Sequence, residues 1–324
     1  MKRISGFVAA LAVAATLTTA CGTTEKAEDR AAAQGGPVTV TDSRGTKVEL
    51  KAPARRVVAL EWGEAEMLVT LGVQPVGVAD VKGFGTWVTA VKLDPAVKDV
   101  GTRGEPSVDA IVALRPDLVV MEVERDSPLV AQLEKFVPVI VAKGADATRD
   151  LDRMREDLTM IATAVGRTAE AKTALAGFDT ALAAGRERIA KANAAGKQFA
   201  MADGWKEGSS ISIRMFGQGS FVSQLAIQLG LRNAWTGKVD ERWGLGNTDV
   251  EGLSAIRDTD LRFFYNASDG DDVFATGLAG NAIWDSMAFV KSKQVHRNPD
   301  GIWTFGGPAS ARQFVNQLVK VYTA

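Results

Sequence analysis

RVVALEWGEAEMLVTLGVQPVGVAD, residues 56–80, is the stretch from which the fold is read. A short β-branched run at 56–61 predicts a strand, 64–71 has the amphipathic character of a helix stopped by Gly72, and 75–80 returns to strand. The same alternation continues outward, with strands at 98–101, 117–123 and 138–143 and helices at 107–114 and 127–136. Such βα repetition predicts a largely parallel sheet. Ahead of it, Val38-Thr-Val-Thr and Lys47-Val-Glu-Leu50, parted by Ser43-Arg-Gly45, read as a small hairpin.

From Asp150 to about Ala195 there is no proline, and Leu151, Met154, Leu158, Ile161, Ala162 and Val165 recur at helical spacing, which predicts a long helix broken near Gly166. Alternation resumes with a strand at 198–203, helices at 220–229 and 249–256, a strand at 262–267, a helix at 281–290, a strand at 294–296 and a last helix at 308–322. The expected fold class is α/β, with two lobes of mainly parallel sheet joined by one long interlobe helix and a ligand cleft between them. The expected boundaries are an N-terminal lobe at 38–149, the interlobe helix at 150–167 and a C-terminal lobe at 168–324. The halves echo each other: the segment from Val108 through Asp109 to Leu118 matches that from Val250 through Glu251 to Leu261, and Glu66 to Val73 is matched by Ser223 to Leu231. Chance likeness between βα units is the plain alternative to a duplication.

The 324 residues are 46% hydrophobic and 24% charged, and 38 Lys and Arg against 39 acids give a net charge of -1. That balance excludes the electrostatic footprint of a nucleic-acid binder. Met1-Lys2-Arg3 followed by an apolar run from Ile4 to Leu17 reads as a signal peptide, too short for a comfortable membrane span. It ends Leu17-Thr18-Thr19-Ala20-Cys21-Gly22, which resembles a bacterial lipobox, with Thr18 where a larger aliphatic residue is usual. Cys21 is the only cysteine, so no disulfide competes for it. Residues 1–20 are therefore expected to be removed, Cys21 to be lipidated, and 21–37, polar and non-periodic, to form a flexible tether. The expected location is extracytoplasmic, anchored by lipid to the outer face of a bacterial cell membrane.

Further motifs carry a family likeness. Arg56-Val-Val-Ala-Leu60-Glu61-Trp62, Leu71-Gly72-Val-Gln-Pro75, Gly101-Thr-Arg103-Gly-Glu105-Pro106, Leu114-Arg-Pro116-Asp-Leu118, Asn233-Ala-Trp235-Thr-Gly237 and Trp303-Thr-Phe305-Gly-Gly307 occur in an order and spacing that resemble the iron-siderophore substrate-binding proteins of ABC importers. The similarity is closest to the ferric-hydroxamate-binding members and covers Arg55 to Val321. It implies a two-lobed fold with limited closure, a ferric siderophore as ligand, and an ABC permease dimer as partner. A monomer is expected, held to the membrane only through its anchor.

The residues themselves offer little for catalysis. His296, the single histidine, falls in a strand, and no nucleophile elbow, P-loop or dinucleotide fingerprint occurs. Bare-metal binding is equally poorly served, since soft and borderline ions want His and Cys. No cofactor and no protein-ligated metal are expected, because a siderophore already fills the coordination shell of its iron. Such a ligand asks for an aromatic cleft and a cation aimed at its oxygens. Trp62, Trp87, Trp205, Trp243 and Trp303 fall in loops or near strand ends, where open α/β sheets gather ligands, and Phe305 accompanies Trp303. Trp235 and Trp284 read as packing residues. Arg103 and Arg214 are the candidate cations; a surface pair with Glu105 is the plain alternative for Arg103. By resemblance, an arginine in the Arg103 motif donates to the ligand, whereas the tyrosine of similar proteins in the next loop has no counterpart in Met121-Glu-Val-Glu-Arg125-Asp-Ser-Pro128. Arg125 is a candidate substitute, with a solvated charge run as the plain alternative. Resemblance also makes Asp109 and Glu251 the permease-docking acids, with helix capping as the alternative. Competing functions are a receptor for another iron chelate, haem or a corrinoid, and an enzyme on a similar scaffold.

Overall fold

The computed structural model describes residues 35–122, 127–208, 210–257 and 260–324. The signal segment 1–20, Cys21, most of the tether and Arg125 lie outside the described residues. The chain opens with an antiparallel hairpin, β1 (Val38–Thr41) and β2 (Lys47–Leu50). A parallel sheet follows, made of β3 (Val57–Ala59), β4 (Gly77–Val78), β5 (Lys98–Asp99), β6 (Leu118–Glu122) and β7 (Val139–Ala142) in the order β5-β4-β3-β6-β7. Every residue of β3, β6 and β7 is buried. Continuous apolar strands are what a parallel sheet covered on both faces requires. Its covering helices include α1 (Trp62–Thr70), α2 (Val81–Trp87), α3 (Val108–Ala113) and α4 (Ser127–Leu133).

The proline-free stretch forms two helices, α5 (Asp150–Ala164) and α6 (Thr168–Lys191), parted at Gly166. The second sheet then assembles from β8 (Gln198–Glu207), β9 (Ser210–Phe216), β10 (Arg232–Asn233), β11 (Leu245–Thr248), β12 (Arg262–Tyr265) and β13 (Val295–Arg297). Its order is β11-β9-β8-β12-β13, with β10 also paired to β8. Helices α7 (Phe221–Gln228), α8 (Val250–Leu253), α9 (Ala282–Ser286) and α10 (Ala288–Lys291) and a π-helical turn at Val273–Gly277 connect the strands, and α11 (Pro308–Tyr322) follows β13.

The internal likeness is topological. The strand order β4-β3-β6-β7 of the first sheet recurs as β10-β8-β12-β13 in the second, parallel throughout. The equivalent helices α1 and α7 even end alike: Val73 N–H bonds Leu68 O and Gly72 N–H bonds Val69 O, while Leu231 N–H bonds Ala226 O and Gly230 N–H bonds Ile227 O. Both are Schellman closures, and Gly72 and Gly230 have the positive φ that such an end demands, 75° and 91°. What sets the second half apart is an antiparallel ribbon, β9 and β11, inserted beside β8.

Several sequence expectations are corrected. The strand placed at 198–203 runs on to Glu207 and returns as β9, which the reading lacked because a polar tip separates the two arms. Trp205 therefore lies within β8 and not at a strand end. Helix α2 was also missed, since Val-Lys-Gly-Phe-Gly-Thr-Trp has two glycines and low propensity; Asp80 nonetheless caps it by accepting Gly83 N–H at 2.9 Å. Trp87 is thus the last residue of a helix, and Trp62 the first of another, where both were expected in loops. The helix expected at 281–290 divides at Met287, whose ψ of 142° is extended; nothing in the local sequence marks the break.

The two halves share one apolar core containing Trp62, Met67 and Phe84 of the first and Phe216, Trp303 and Phe314 of the second. The segment before α11 crosses back to the first half. Thr89 N–H bonds Gly301 O at 2.9 Å, and Glu66 on α1 accepts Ala309 N–H, Ser310 N–H and the Ser310 hydroxyl at 3.1, 2.9 and 2.6 Å.

Candidate ligand-binding cleft

The carboxyl ends of β3 and β6 open into a cavity of about 280 Å³ lined by Glu61, Gly63, Arg103, Glu122, Arg214, Trp243, Leu245, Trp303 and Phe305. Both halves contribute. Glu61 follows β3, Arg103 sits in the loop after β5, Glu122 ends β6, Arg214 is in β9, Leu245 opens β11, and Trp303 and Phe305 precede α11. A larger groove of about 660 Å³ lies beside Lys143, Asp146, Arg149 and Glu156. It has no aromatic lining, and four of its charged residues pair with one another, Lys143 with Asp146 and Arg149 with Glu156. The smaller cavity has the makings of a small-molecule site: apolar rings with a few converging polar groups.

The rings form a connected wall. Trp303 meets Phe305 edge to face at 5.2 Å, and Phe305 meets Trp243 at 5.3 Å with planes 87° apart. Behind them, Trp62 packs on Trp303 at 4.9 Å and Trp87 at 6.4 Å, so these two buttress the wall without lining the cavity. The Trp62 indole N–H is spent on Ala79 O at 3.2 Å. Trp205, 40% exposed, stands outside the lining, opposite Ser212 on the same strand face as Asp203. Trp284 packs against Phe263 and Phe289, and Trp235 against the core of the second half.

Both cations in the lining are held by carboxylates. Nε and Nη2 of Arg103 each lie 2.6 Å from Glu61 Oε2, and its guanidinium rests 4.3 Å above the Trp62 ring and 5.4 Å from that of Trp303. Its partner is Glu61, not Glu105. Arg214 Nη2 lies 2.5 Å from Asp203 Oδ2, across the β8–β9 register, with its guanidinium 5.5 Å from the Phe305 ring. Burial raises the Asp203 carboxyl against the pull of Arg214.

Further acids lie in the cavity lining and behind it. Glu122 is buried, and burial followed by the charge of Glu61 pushes its carboxyl up to about 8, against Arg153 and Arg103. Glu64, fully buried in α1, is held well above the usual carboxylate range by burial, then by Glu122, Glu61 and Asp157. Sequence reasoning passed over Glu61, Glu122 and Asp203. The available signal was position: an acid at the carboxyl end of an otherwise apolar strand sits where α/β sheets bind ligands.

Outside the cleft, His296 lies in β13, half-buried against Phe264, and burial and then Arg262 lower its pKa. Among the described residues no group of three His, Cys, Asp or Glu is arranged to hold a metal ion, and no helix is long and apolar enough to cross a membrane. Asp109 and Glu251 are exposed in the first turns of α3 and α8. The caps of those helices come from other residues, Ser107 accepting Ala110 N–H at 3.2 Å and Asp249 accepting Gly252 N–H at 2.9 Å.

Comparison with known proteins agrees with this architecture. The chain is 29% identical over 265 residues to the iron(3+)-hydroxamate-binding protein FhuD of Escherichia coli, covering 81% of this chain and 85% of that one. It is 24% identical to the probable siderophore-binding lipoprotein YfiY of Bacillus subtilis, over 99% of this chain and 98% of that one. Among solved structures, the siderophore-binding protein FhuD of Vibrio cholerae, with Fe3+-Desferal bound, superposes with a TM-score of 0.70 at 23% identity, over 83% of this chain and 98% of that one, which is a likeness of fold. The periplasmic binding protein family matches residues 57–300, and with that span, three quarters of its length, the chain belongs to this family of solute-binding proteins.

Proposed function

We propose that the protein is the extracytoplasmic receptor of an ABC importer, capturing a ferric siderophore of the hydroxamate type and delivering it to the permease. The observation that carries this reading is the cleft itself: an aromatic wall of Trp243, Trp303 and Phe305 facing Arg103 and Arg214, with no metal-ligand set among the described residues. A chelated ferric ion brings its own ligands, so the protein supplies only ring faces and hydrogen bonds. The named activity of the Escherichia coli relative, hydroxamate binding, supports the same ligand class. Each cleft cation is already matched by a carboxylate, Glu61 or Asp203, which favours a ligand of low charge over a highly anionic chelate.

In this reading Arg103 and Arg214 donate to the ligand's oxygens, and Trp62 and Trp87 hold the wall. Trp205 meets the portion of the ligand that projects past the cavity. The protein is a monomer of two lobes joined by α5, tethered by a lipid on Cys21 and docking by Asp109 and Glu251. It performs no catalysis. Competition of a ferric trihydroxamate against ferric tricatecholate, haem and cobalamin, at equal concentration, tests the ligand class: displacement only by hydroxamates supports it, and preference for any other member overturns it. Replacing Cys21→Ser should release the protein from the membrane fraction of cells.

A further inference from the structure

Glu122 is 7% exposed, lines the cavity, and its side chain has no hydrogen bond or ion pair to any described residue. Its surroundings are fixed on every side. Glu61 and Arg103 face it from the strand ends, and Arg103 is committed to Glu61. Glu64 approaches from α1, and Arg153 and Asp157 from α5, where Arg153 lies 2.8 Å from Asp150 and 3.4 Å from Asp157. The backbone of Gly144, at φ +74°, comes so close that a Cβ there would lie 2.6 Å from Glu122 Cδ. The missing side chain of Gly144 thus leaves the room that the carboxyl occupies.

A buried carboxylate with no donor is penalised by desolvation, and the charge of Glu61 adds to the penalty, so the neutral acid is the stable form. A neutral carboxyl carries one O–H donor. Unlike the guanidinium pairs of the cleft, this donor is not engaged by any described residue, and it faces the space a ligand would fill. We propose that Glu122, un-ionised, donates its carboxyl O–H to an oxygen of the bound ligand, making capture proton-dependent; this rests on the siderophore reading above.

The sign follows from the donor. As pH rises past about 8, where the free cleft loses this proton, the hydrogen bond disappears and a negative charge is left against the ligand's oxygens. Affinity should then fall toward about tenfold per pH unit. The probe is ferrichrome, a ferric trihydroxamate with no ionisable arm, titrated by tryptophan fluorescence from pH 6 to 9.5 against wild type, Glu122→Gln and Glu64→Gln. Wild type and Glu64→Gln should weaken above pH 8, while Glu122→Gln, which keeps a donor but cannot ionise, should bind with a flat profile within a few-fold of the low-pH wild type. A flat or rising wild-type profile, or loss of the pH dependence in Glu64→Gln instead, overturns the assignment while leaving the receptor reading intact. Absence of binding by wild type at every pH overturns both.

Discussion

The carboxylate of Glu66 accepts the hydroxyl of Ser310 at 2.6 Å, joining α1 to the start of α11 across 244 residues of chain. The same carboxylate takes the Ala309 and Ser310 backbone N–H groups, at a buried site, and so satisfies donors that the helix N-terminus leaves open. Trp303, which forms part of the cleft wall, lies seven residues before Ser310 on the same crossing segment. The contact thus links the position of the wall to the first half of the molecule.

Replacing Glu66→Ala should cost about 3 kcal/mol, because several buried donors lose a charged acceptor at once. Glu66→Gln, which keeps one acceptor oxygen, should cost less. Urea unfolding of the two variants checks the order, and an Ala variant as stable as wild type would show that the crossing is held by other contacts.

The cleft makes two predictions on affinity. Arg103→Ala should weaken ferric-hydroxamate binding by about 1–3 kcal/mol, the scale of a lost charge-assisted hydrogen bond. Trp243→Ala removes the edge-to-face contact with Phe305, worth about 0.5–1.5 kcal/mol beyond its buried area, and should also reduce the fluorescence change on binding. Both variants binding like wild type, while folded by circular dichroism, would place the site elsewhere.

Much of this arrangement was legible before any coordinates. The βα alternation from Arg56 to Asp80 and the glycines after α1 and α7 announced the parallel sheets and the repeat, because strand and helix periods differ and a Schellman end wants a positive φ. Arg103 could be placed after a strand and before a helix, and Trp243, Trp303 and Phe305 near strand ends. The partner of Arg103 could not be read, since Glu61 is 42 residues away and only the β3-β4-β5 order brings them together. Trp62 and Trp87 looked like cleft residues for the same reason: sequence locates a side chain along the chain but not behind or in front of Trp303. Glu122 falls at the end of the strand read at 117–123, but its burial and the neighbours Glu61, Glu64 and Arg153, distant in sequence, appear only in the fold.

Docking predicts a separation of functions. Because Ser107 and Asp249 already cap α3 and α8, replacing both Asp109 and Glu251 by alanine should change stability by less than about 1 kcal/mol, the scale of an acid in a helix's first turn. Ligand affinity should be unchanged and siderophore-dependent iron uptake by cells abolished. Uptake at wild-type rates in the double variant would remove these acids from the permease surface.

The central claim is that iron arrives already wrapped and that the protein reads the wrapping. Its most direct test is intrinsic tryptophan fluorescence during titration with a ferric trihydroxamate, set beside ferric and zinc salts without chelator. The account predicts saturable one-to-one quenching by the ferric chelate at micromolar concentration or below, with no response to the bare ions; tight binding of free ferric or zinc ion, with indifference to the chelate, would contradict it.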